Sequence, residues 1–357
     1  MATHYIITNR QIIKGSRKGG YVSVNRSECL RADGKEEAMD NLRYGTVTFD
    51  PAKARNLDDF KIEILPDLSD AEMEYKELHG KYPAGVVPPS IQVFEELHAT
   101  GKADKAGEGH FLVFVHGYNS DLKGALTTLA DLHERYVAPA DSPIGHIILF
   151  TWPSRGSLTR YRDDARDAVK TGYAMARSFQ SMTSFFQDLV TAARKRRVKD
   201  MNNVFCAQKI HLMCHSMGNR VFESMMAELF ARNVRPNSVF GEILLMAADV
   251  DDDGLEPGKP LHNAIMLGER MHVYYHNEDK ALGISERTKN AFNRLGRWGA
   301  RRTVPLPDGV IQADVSYISD DKTLRENIAH HWYYMNSPSV VHDVKEVLNG
   351  KTTVFQY

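Results

Sequence analysis

Ile210-His-Leu-Met-Cys-His-Ser-Met-Gly-Asn-Arg220 is the stretch that decides the fold, and a pattern of helical spacing follows it directly. An apolar strand that runs into a tight turn centred on serine, and then into a helix, is the local pattern of a nucleophile elbow. Only small side chains fit on either side of the serine in this turn. Cys214 stands where glycine is usual and is small enough, while Gly218 keeps the second position. The stretch therefore predicts Ser216 as a nucleophile presented at the end of a sheet.

Ser216 has a competing interpretation as an ordinary N-cap serine of a helix that follows a buried strand. The helix is marked by apolar residues at helical spacing, namely Val221, Phe222, Met225, Met226, Leu229 and Phe230. Its N-terminal N–H groups and dipole would lie beneath a reacting oxygen of Ser216. We favour the nucleophile because a strand precedes the motif and an amphipathic helix follows it. Serine alone is a weak nucleophile, so the prediction requires a general base and an orienting acid elsewhere in the chain.

Strand-like and helix-like segments alternate from residue 110 onward. The apolar runs that predict strands cover 111–115, 147–150, 210–213, 240–248, 271–275 and 311–318. The segments of helical spacing cover 122–136, 160–197, 221–230 and 337–348. Strands that alternate with helices favour a parallel sheet covered on both faces. The predicted fold class is therefore α/β, with a mostly parallel sheet.

Residues 1–109 have a different pattern. Short β-like runs cover 4–9, 20–25, 44–50 and 60–65, and helix-like segments cover 69–80 and 89–99. A polar connector punctuated by glycine follows at 101–109. We predict an N-terminal extension of short strands and helices over 1–109, packed on a catalytic domain over 110–357. No residue pattern in the extension indicates a chemical role.

The first strand of the predicted catalytic domain ends in His116-Gly-Tyr-Asn-Ser120. In folds with a nucleophile elbow, one oxyanion-hole N–H comes from the residue after the nucleophile and one from the loop after an earlier strand. This arrangement predicts the backbone N–H groups of Tyr118 and Met217 as the oxyanion donors. Gly117 would let the backbone approach a substrate closely. The alternative is that His116-Gly117 is simply a turn that ends a strand.

Six blocks of the chain resemble, in order, a family of bacterial α/β-hydrolases long catalogued as a domain of unknown function. They are Phe114–Asn119, Thr151–Ser154, Cys214–Arg220, Ala248–Asp251, Tyr274–Leu282 and His331–Tyr334. The resemblance covers about residues 110–349. It implies the α/β-hydrolase fold and serine hydrolase chemistry of an esterase or lipase type, without a defined substrate. The family usually shows Gly-His-Ser-Tyr near the last block, where this chain has Ala329-His-His-Trp-Tyr333.

The triad partners of this fold follow the nucleophile in the order Ser, Asp, His. Counting strands places the acid at Asp279, after the strand at 271–275, while Asp249 after the preceding strand is the alternative acid. His330 and His331 both lie in the loop after the last strand. His331 is the preferred base because Tyr333-Tyr334 then stays in step with the family block, and His330 is the alternative base.

Two charged clusters lie between the nucleophile and the predicted base. The acidic cluster comprises Asp249, Asp251, Asp252 and Asp253, and the basic stretch comprises Arg287, Lys289, Arg294, Arg297, Arg301 and Arg302. Carboxylates could bind a hard cation, but the spacing and glycine of an EF-hand are missing, so we favour a solvated turn. The arginines could hold a substrate carboxylate or phosphate, but a solvated helix face is the simpler interpretation.

Composition narrows the class of protein. Of 357 residues, 42% are hydrophobic and 25% charged, which is typical of a globular chain. The net charge of -1 gives no field that would favour nucleic acid or an anionic membrane. Three scattered cysteines, Cys29, Cys206 and Cys214, predict neither a disulfide framework nor a zinc site. No signal peptide or transmembrane run is seen, so we expect a cytoplasmic protein, although a lipidated or secretion-system route stays open.

The predicted function is hydrolysis of carboxylic esters through an acyl-enzyme. His331 would take the proton of Ser216, and Asp279 would orient His331. This chemistry predicts no cofactor and no metal, and its partner would be a small-molecule or lipid ester. Two alternatives remain: a lipase or phospholipase that acts on lipid aggregates, and a non-catalytic binding protein that keeps the hydrolase fold. The sequence does not fix the oligomeric state.

Overall fold

The computed structural model describes residues 1–14, 22–23, 28–30, 41–103, 109–155, 160–196, 208–234, 238–288, 292–301, 305–322 and 328–356. The predicted β-like run at 20–25 is therefore described only at 22–23. The predicted connector is described only at 101–103 and 109. Cys206, Lys289 and Arg302 lie outside the described residues.

The chain alternates between strands and helices. The strands are Ala2–Thr8 (β1), Ile12–Lys14 (β2), Val22–Ser23 (β3), Glu28–Leu30 (β4), Arg43–Phe49 (β5), Phe60–Ile64 (β6), His110–Val115 (β7), Ile144–Thr151 (β8), Ile210–His215 (β9), Phe240–Met246 (β10), Gly268–Tyr275 (β11) and Val310–Asp314 (β12). The α-helices are Asp70–His79 (α1), Pro89–Ala103 (α2), Leu122–Tyr136 (α3), Tyr161–Lys195 (α4), Gly218–Ala231 (α5), Lys280–Thr288 (α6), Leu295–Trp298 (α7), Tyr333–Asn336 (α8) and Pro338–Leu348 (α9). Each strand and helix predicted for 110–357 is present, and α6, α7 and α8 are additional.

Within the described residues, nine strands form one sheet in the order β12-β11-β10-β9-β7-β8-β1-β5-β6. All neighbours from β12 to β1 are parallel, whereas β5 is antiparallel to both β1 and β6. The short strands β2, β4 and β3 form a separate antiparallel sheet. The large sheet confirms the predicted α/β fold with mostly parallel strands.

The interior strand β9 is buried on both faces, which explains why its residues other than His211 and His215 are apolar. Leu212 and Cys214 pack in the layer that contains α4 and α5. Met213 points the other way, into the layer that contains α3 and α9. Strand side chains alternate between the two faces, so this one strand contributes to both halves of the core.

Two predicted strands end earlier than their apolar patterns. The run at 240–248 leaves the sheet at Ala247, whose φ is 44° and whose N–H donates to the hydroxyl of Tyr333 at 2.7 Å. The run at 311–318 ends at Asp314, because Oδ1 of Asp314 accepts from the N–H of Ser316 at 2.9 Å. An aspartate that bonds the backbone two residues on forms a turn and stops a strand.

Strand β1 of the predicted N-terminal extension is an interior strand of the large sheet. It pairs with β8 in parallel, with Tyr5 opposite Ile148 and Thr8 opposite Thr151. Strands β5 and β6 continue the same sheet beyond β1. The segments before residue 110 therefore share their sheet with the rest of the chain, and the division at 109/110 stays a prediction.

None of the described helices is both long and apolar enough to cross a membrane.

Candidate active site

Ser216 lies in a strained turn between β9 and α5. Its φ is 51°, in the left-handed region that non-glycine residues rarely occupy. Its N–H donates to the carbonyl of Met246 at 3.0 Å, which ties the turn to β10. A Cβ atom on Gly218 would lie 2.4 Å from the carbonyl oxygen of Val115, so only glycine fits at this position. These features are the geometry of a nucleophile elbow.

Asn219 holds this turn from within. Its amide Nδ2 donates to the carbonyl of Cys214 at 3.0 Å and to that of Ser216 at 3.1 Å. The side chain is fully buried. Sequence reasoning missed this role, although a polar residue on the inner face of an apolar helix was a signal for it. Burial raises the pKa of the Cys214 thiol, which keeps that side chain a neutral packing group.

Asp279 and His331 form a buried pair. Asp279 follows β11 and precedes α6, where its Oδ1 accepts from the N–H of Leu282 at 2.9 Å. Its Oδ2 lies 2.7 Å from Nδ1 of His331. Burial raises the pKa of Asp279, while His331 acts in the opposite direction through its hydrogen bond and its charge. Asp279 therefore fixes Nδ1 of His331 as the atom that carries a proton.

His215 connects His331 to the elbow. The two rings are 4.8 Å apart, and Nε2 of His215 lies 3.2 Å from the carbonyl oxygen of His331. Burial lowers the pKa of His215 well below its ordinary value, so its ring is neutral. The neutral ring donates from Nε2 to the His331 carbonyl. The backbone of His331 is thus bound to the residue that directly precedes Ser216.

His330 has other neighbours. Its Nδ1 lies 3.2 Å from Oδ2 of Asp321, and its ring stacks on His276 with centroids 4.2 Å apart. Its φ of 60° turns the backbone between the two adjacent histidines. The structure therefore brings His331, and not His330, to Asp279.

Asp249 is buried but bonded to different side chains. Its Oδ2 accepts from the hydroxyl of Tyr161 at 2.7 Å, and its Oδ1 accepts from that of Ser285 at 3.0 Å. Nη1 of Arg294 lies 3.9 Å from Oδ1. Its backbone N–H donates to the carbonyl of Ser216 at 3.1 Å. Asp249 thus supports the elbow while its carboxylate is bonded to groups other than a histidine.

The loop after β7 lies directly against Ser216. A Cβ atom on Gly117 would be 2.8 Å from Cβ of Ser216. The next residue, Tyr118, packs its ring edge-on against Tyr161 at 5.3 Å. Burial raises the pKa of the Tyr118 phenol to about 12, so its hydroxyl stays neutral. On the other side of Ser216, Met217 is fully buried at the start of α5.

The two charged clusters bind each other. Arg294 is 1% exposed, and its Nη2 lies 2.6 Å from Oδ1 of Asp251. Arg301 lies 3.1 Å from Asp253, and Arg297 pairs with Glu286. The favoured interpretation of solvated faces is therefore wrong for Arg294. Among the described residues, no group of three or more His, Cys, Asp or Glu side chains could hold a metal ion.

An apolar cavity of about 220 Å³ lies at the end of the sheet opposite to the end where Ser216 lies. It is lined by the first residues of β7, β9 and β10 and by side chains of α2 and α4, among them Phe94, Phe111, Met182 and Phe240. Ser216 follows the carboxyl end of β9, whereas this cavity lies at the amino ends of the strands. The cavity is therefore separate from the candidate active site.

Comparisons with known proteins agree with this architecture. The family described as "Alpha/beta hydrolase of unknown function (DUF900)" matches residues 95–350. An uncharacterized protein of Nostoc sp. strain PCC 7120, alr1448, is 21% identical over an alignment of 335 positions, and the match covers 76% of this chain and 81% of the relative. No solved structure matches the chain.

Proposed function

Because the chain belongs to the α/β hydrolases of the DUF900 family, we propose that it is a serine hydrolase that cleaves carboxylic esters through an acyl-enzyme. One observation carries the proposal. The buried Asp279–His331 pair, 2.7 Å apart, is bonded through His215 to the strained turn that presents Ser216. Nucleophile, base and orienting acid are the three parts that acyl transfer to serine requires.

The proposed reaction follows from the proton positions. With Nδ1 of His331 protonated toward Asp279, its Nε2 is the free base that takes the proton of Ser216 as Oγ attacks the ester carbonyl. The N–H groups of Tyr118 and Met217 donate to the oxyanion that forms. His331 then gives its proton to the departing alcohol. Water then takes the place of the alcohol and attacks the acyl-enzyme, which reverses these steps and releases Ser216. The reaction therefore needs no cofactor.

A screen of p-nitrophenyl esters, from acetate to laurate, tests the proposal, with Ser216→Ala as the matched control. We expect turnover by the wild type, and its loss by several orders of magnitude in the variant, because triad members act as a unit. A fluorophosphonate probe should label the wild type and leave the variant unlabelled. A folded Ser216→Ala protein with near-wild-type turnover would contradict the proposal. Absence of both turnover and labelling in the wild type would favour a non-catalytic binding protein.

Exposed apolar side chains favour a second candidate, a lipase or phospholipase that acts on lipid aggregates. Ile284, Trp298 and Tyr317 are 46%, 49% and 78% exposed. They lie on segments that follow β11 and β12, at the carboxyl edge of the sheet where Ser216 also lies. A contiguous patch of exposed apolar side chains beside a site suits contact with lipid. A jump in turnover when an ester substrate passes its critical micelle concentration would support this candidate, and smooth saturation would oppose it.

A further inference from the structure

Arg10 is a buried charge next to the candidate active site. It follows β1 and is 1% exposed. Its Nε donates to the hydroxyl of Thr151 at 3.0 Å, and its Nη2 donates to the carbonyl of Ser120 at 2.9 Å. Thr151 ends β8, and Ser120 ends the loop after β7. One guanidinium therefore joins the end of β8 to the loop after β7, whose Gly117 lies against Ser216, and it comes from outside the 95–350 region that matches the family.

His116 continues this contact toward the loop. Its Nε2 accepts from the N–H of Trp152 at 3.1 Å and lies 3.0 Å from Oγ1 of Thr151. Burial lowers the pKa of His116 to about 3, and the charge of Arg10 acts in the same direction. The ring is therefore neutral. Because Nε2 accepts, the single ring proton is on Nδ1, which donates to the carbonyl of Gly117 at 2.9 Å.

The hydrogen bonds run in one direction from Arg10 to Gly117. Arg10 donates to Thr151, the Thr151 hydroxyl donates to Nε2 of His116, which it shares as acceptor with the N–H of Trp152, and His116 donates to Gly117. Bonds aligned in this way polarise and strengthen one another. The series ends on the peptide plane between Gly117 and Tyr118, and Gly117 lies against Ser216.

The carbonyl of Gly117 and the N–H of Tyr118 belong to that same peptide plane. The described residues contain no cis peptide bond, and in a trans peptide C=O and N–H point in opposite directions. A hydrogen bond that fixes the Gly117 carbonyl therefore also fixes the direction of the Tyr118 N–H. Beyond Tyr118, two more hydrogen bonds hold the loop at Ser120. Nη2 of Arg10 donates to the Ser120 carbonyl, and the Ser120 N–H donates to Oγ of Ser154.

We propose that Arg10 is a positioning residue that aims the Tyr118 N–H at the oxyanion. The N-terminal segment would thus complete the site of the predicted catalytic domain. This inference rests on the proposed function, in which Tyr118 is an oxyanion donor. Lysine cannot replace Arg10, since one ammonium lacks the fork that reaches Thr151 and Ser120 together.

The test compares Arg10→Met and Arg10→Lys with Tyr5→Phe, a control on the preceding strand β1. We expect kcat for a good ester to fall about 10- to 100-fold in both Arg10 variants, with KM within about twofold. This loss is below the roughly 10²–10³ seen when an oxyanion donor is removed outright. The ratio of ester to thionoester turnover should fall too, because a thiocarbonyl sulfur profits little from such donors. Tyr5→Phe should behave as the wild type.

A second variant, Thr151→Val, keeps the inference testable even if Arg10→Met does not fold. Thr151→Val has nearly the same shape and removes both hydrogen bonds of the Thr151 hydroxyl, the one from Arg10 and the one to His116. We expect it to change kcat and the thionoester ratio in the same direction as Arg10→Met. Equal losses for ester and thionoester in folded Arg10→Met and Thr151→Val proteins would overturn the inference and leave a structural role.

Amide hydrogen exchange separates this inference from the proposed function. If Arg10 holds this loop, exchange of the Ser120 N–H, which donates to Oγ of Ser154 at 3.2 Å, should quicken at least about tenfold in Arg10→Met while strand β9 stays protected. An unchanged rate at Ser120 would overturn the positioning role. A wild type without Ser216-dependent turnover would instead refute the proposed function, and the exchange result would still decide what Arg10 does to the loop.

Discussion

Nδ1 of His331 lies 2.7 Å from Oδ2 of Asp279, and the two side chains are 8% and 0% exposed. In a triad, such a carboxylate holds the base in one tautomer and stabilises its charged form. We predict that Asp279→Asn lowers kcat by about 10⁴ through the wrong tautomer. Asp249→Asn should cost far less, because Asp249 is bonded to Tyr161 and Ser285. A folded but inactive Asp249→Asn protein, beside an active Asp279→Asn protein, would reverse the assignment.

His331→Ala should abolish ester hydrolysis, and His330→Ala should only reduce it. His331 carries the bond to Asp279, whereas His330 lies beside Asp321 and His276. Steady-state turnover of both variants, with circular dichroism to verify folding, is the measurement. The opposite order of activities would mean that His330, and not His331, is the base.

Gly117→Ala should damage activity more than stability. The added Cβ would lie 2.8 Å from Cβ of Ser216, so the loop or the nucleophile must shift. Displacements of about 1 Å at a reacting group can cost about 10² in rate, and overpacking costs about 1–3 kcal/mol. Gly283→Ala is the matched control, since its Cβ would meet Arg297 at an ordinary 3.5 Å within α6. Near-wild-type kcat in Gly117→Ala would show that the loop does not touch the reacting atoms.

The free energy of unfolding should fall as the pH is lowered from 7 to 5. Burial lowers the pKa of His211 to about 3, whereas an unfolded histidine has a pKa of about 6.5. Below pH 6.5 the unfolded chain takes up a proton that the folded chain does not, so stability is lost with acid. His211 alone should account for about 2 kcal/mol over this interval.

Urea unfolding of His211→Asn at both pH values measures that contribution. Nδ1 of His211 accepts a hydrogen bond from the N–H of Glu242 at 3.0 Å. Oδ1 of an asparagine at this position can accept the same bond. The variant should lose about 2 kcal/mol less than the wild type between the two pH values. His342→Asn, on the exposed side of α9, is the surface control. An equal loss in wild type and His211→Asn would exclude His211 as the titrating group.

Neutral and anionic esters of equal size should be hydrolysed at similar rates, with little effect of salt. Arg294 and Arg301 are paired with Asp251 and Asp253, and Arg297 is paired with Glu286. Paired arginines offer little net charge to attract a substrate anion. Rates for a succinate and a butyrate ester over a range of ionic strength test this. A preference for the anion that fades with salt would mean that the basic stretch binds substrate.

The features that could be predicted from the sequence are those that depend on residues close together in the chain. Ser216 and Gly218 were predictable because the elbow depends on a few adjacent residues. The strands were predictable because β9 and its neighbours are buried on both faces and therefore consist mainly of apolar residues. Both charged clusters are visible in the sequence, but the pairing of Arg294 with Asp251 is not. These two residues are 43 positions apart in the chain (294 − 251), so no local pattern connects them.

The role of Arg10 was beyond sequence reasoning for the same physical reason. It contacts Thr151, which is 141 residues away. Nothing in the polar sequence around residue 10 marks a buried guanidinium. Choosing between Asp249 and Asp279, and between His330 and His331, likewise depends on side-chain directions. The assignment of Asp279 and His331 as catalytic stays a prediction, which the variants above test.

The position of β1 between β5 and β8 has a consequence for synthesis of the protein on the ribosome. Its antiparallel partner β5 and then β6 are complete at Ile64, whereas its parallel partner β8 ends at Thr151, 87 residues later (151 − 64). At about 5–20 residues per second, the nascent sheet exposes one open edge for about 4–17 s. Such an edge is a template for pairing with other chains. We therefore expect the yield of folded protein to rise with slower translation at low temperature and with chaperones that bind nascent chains.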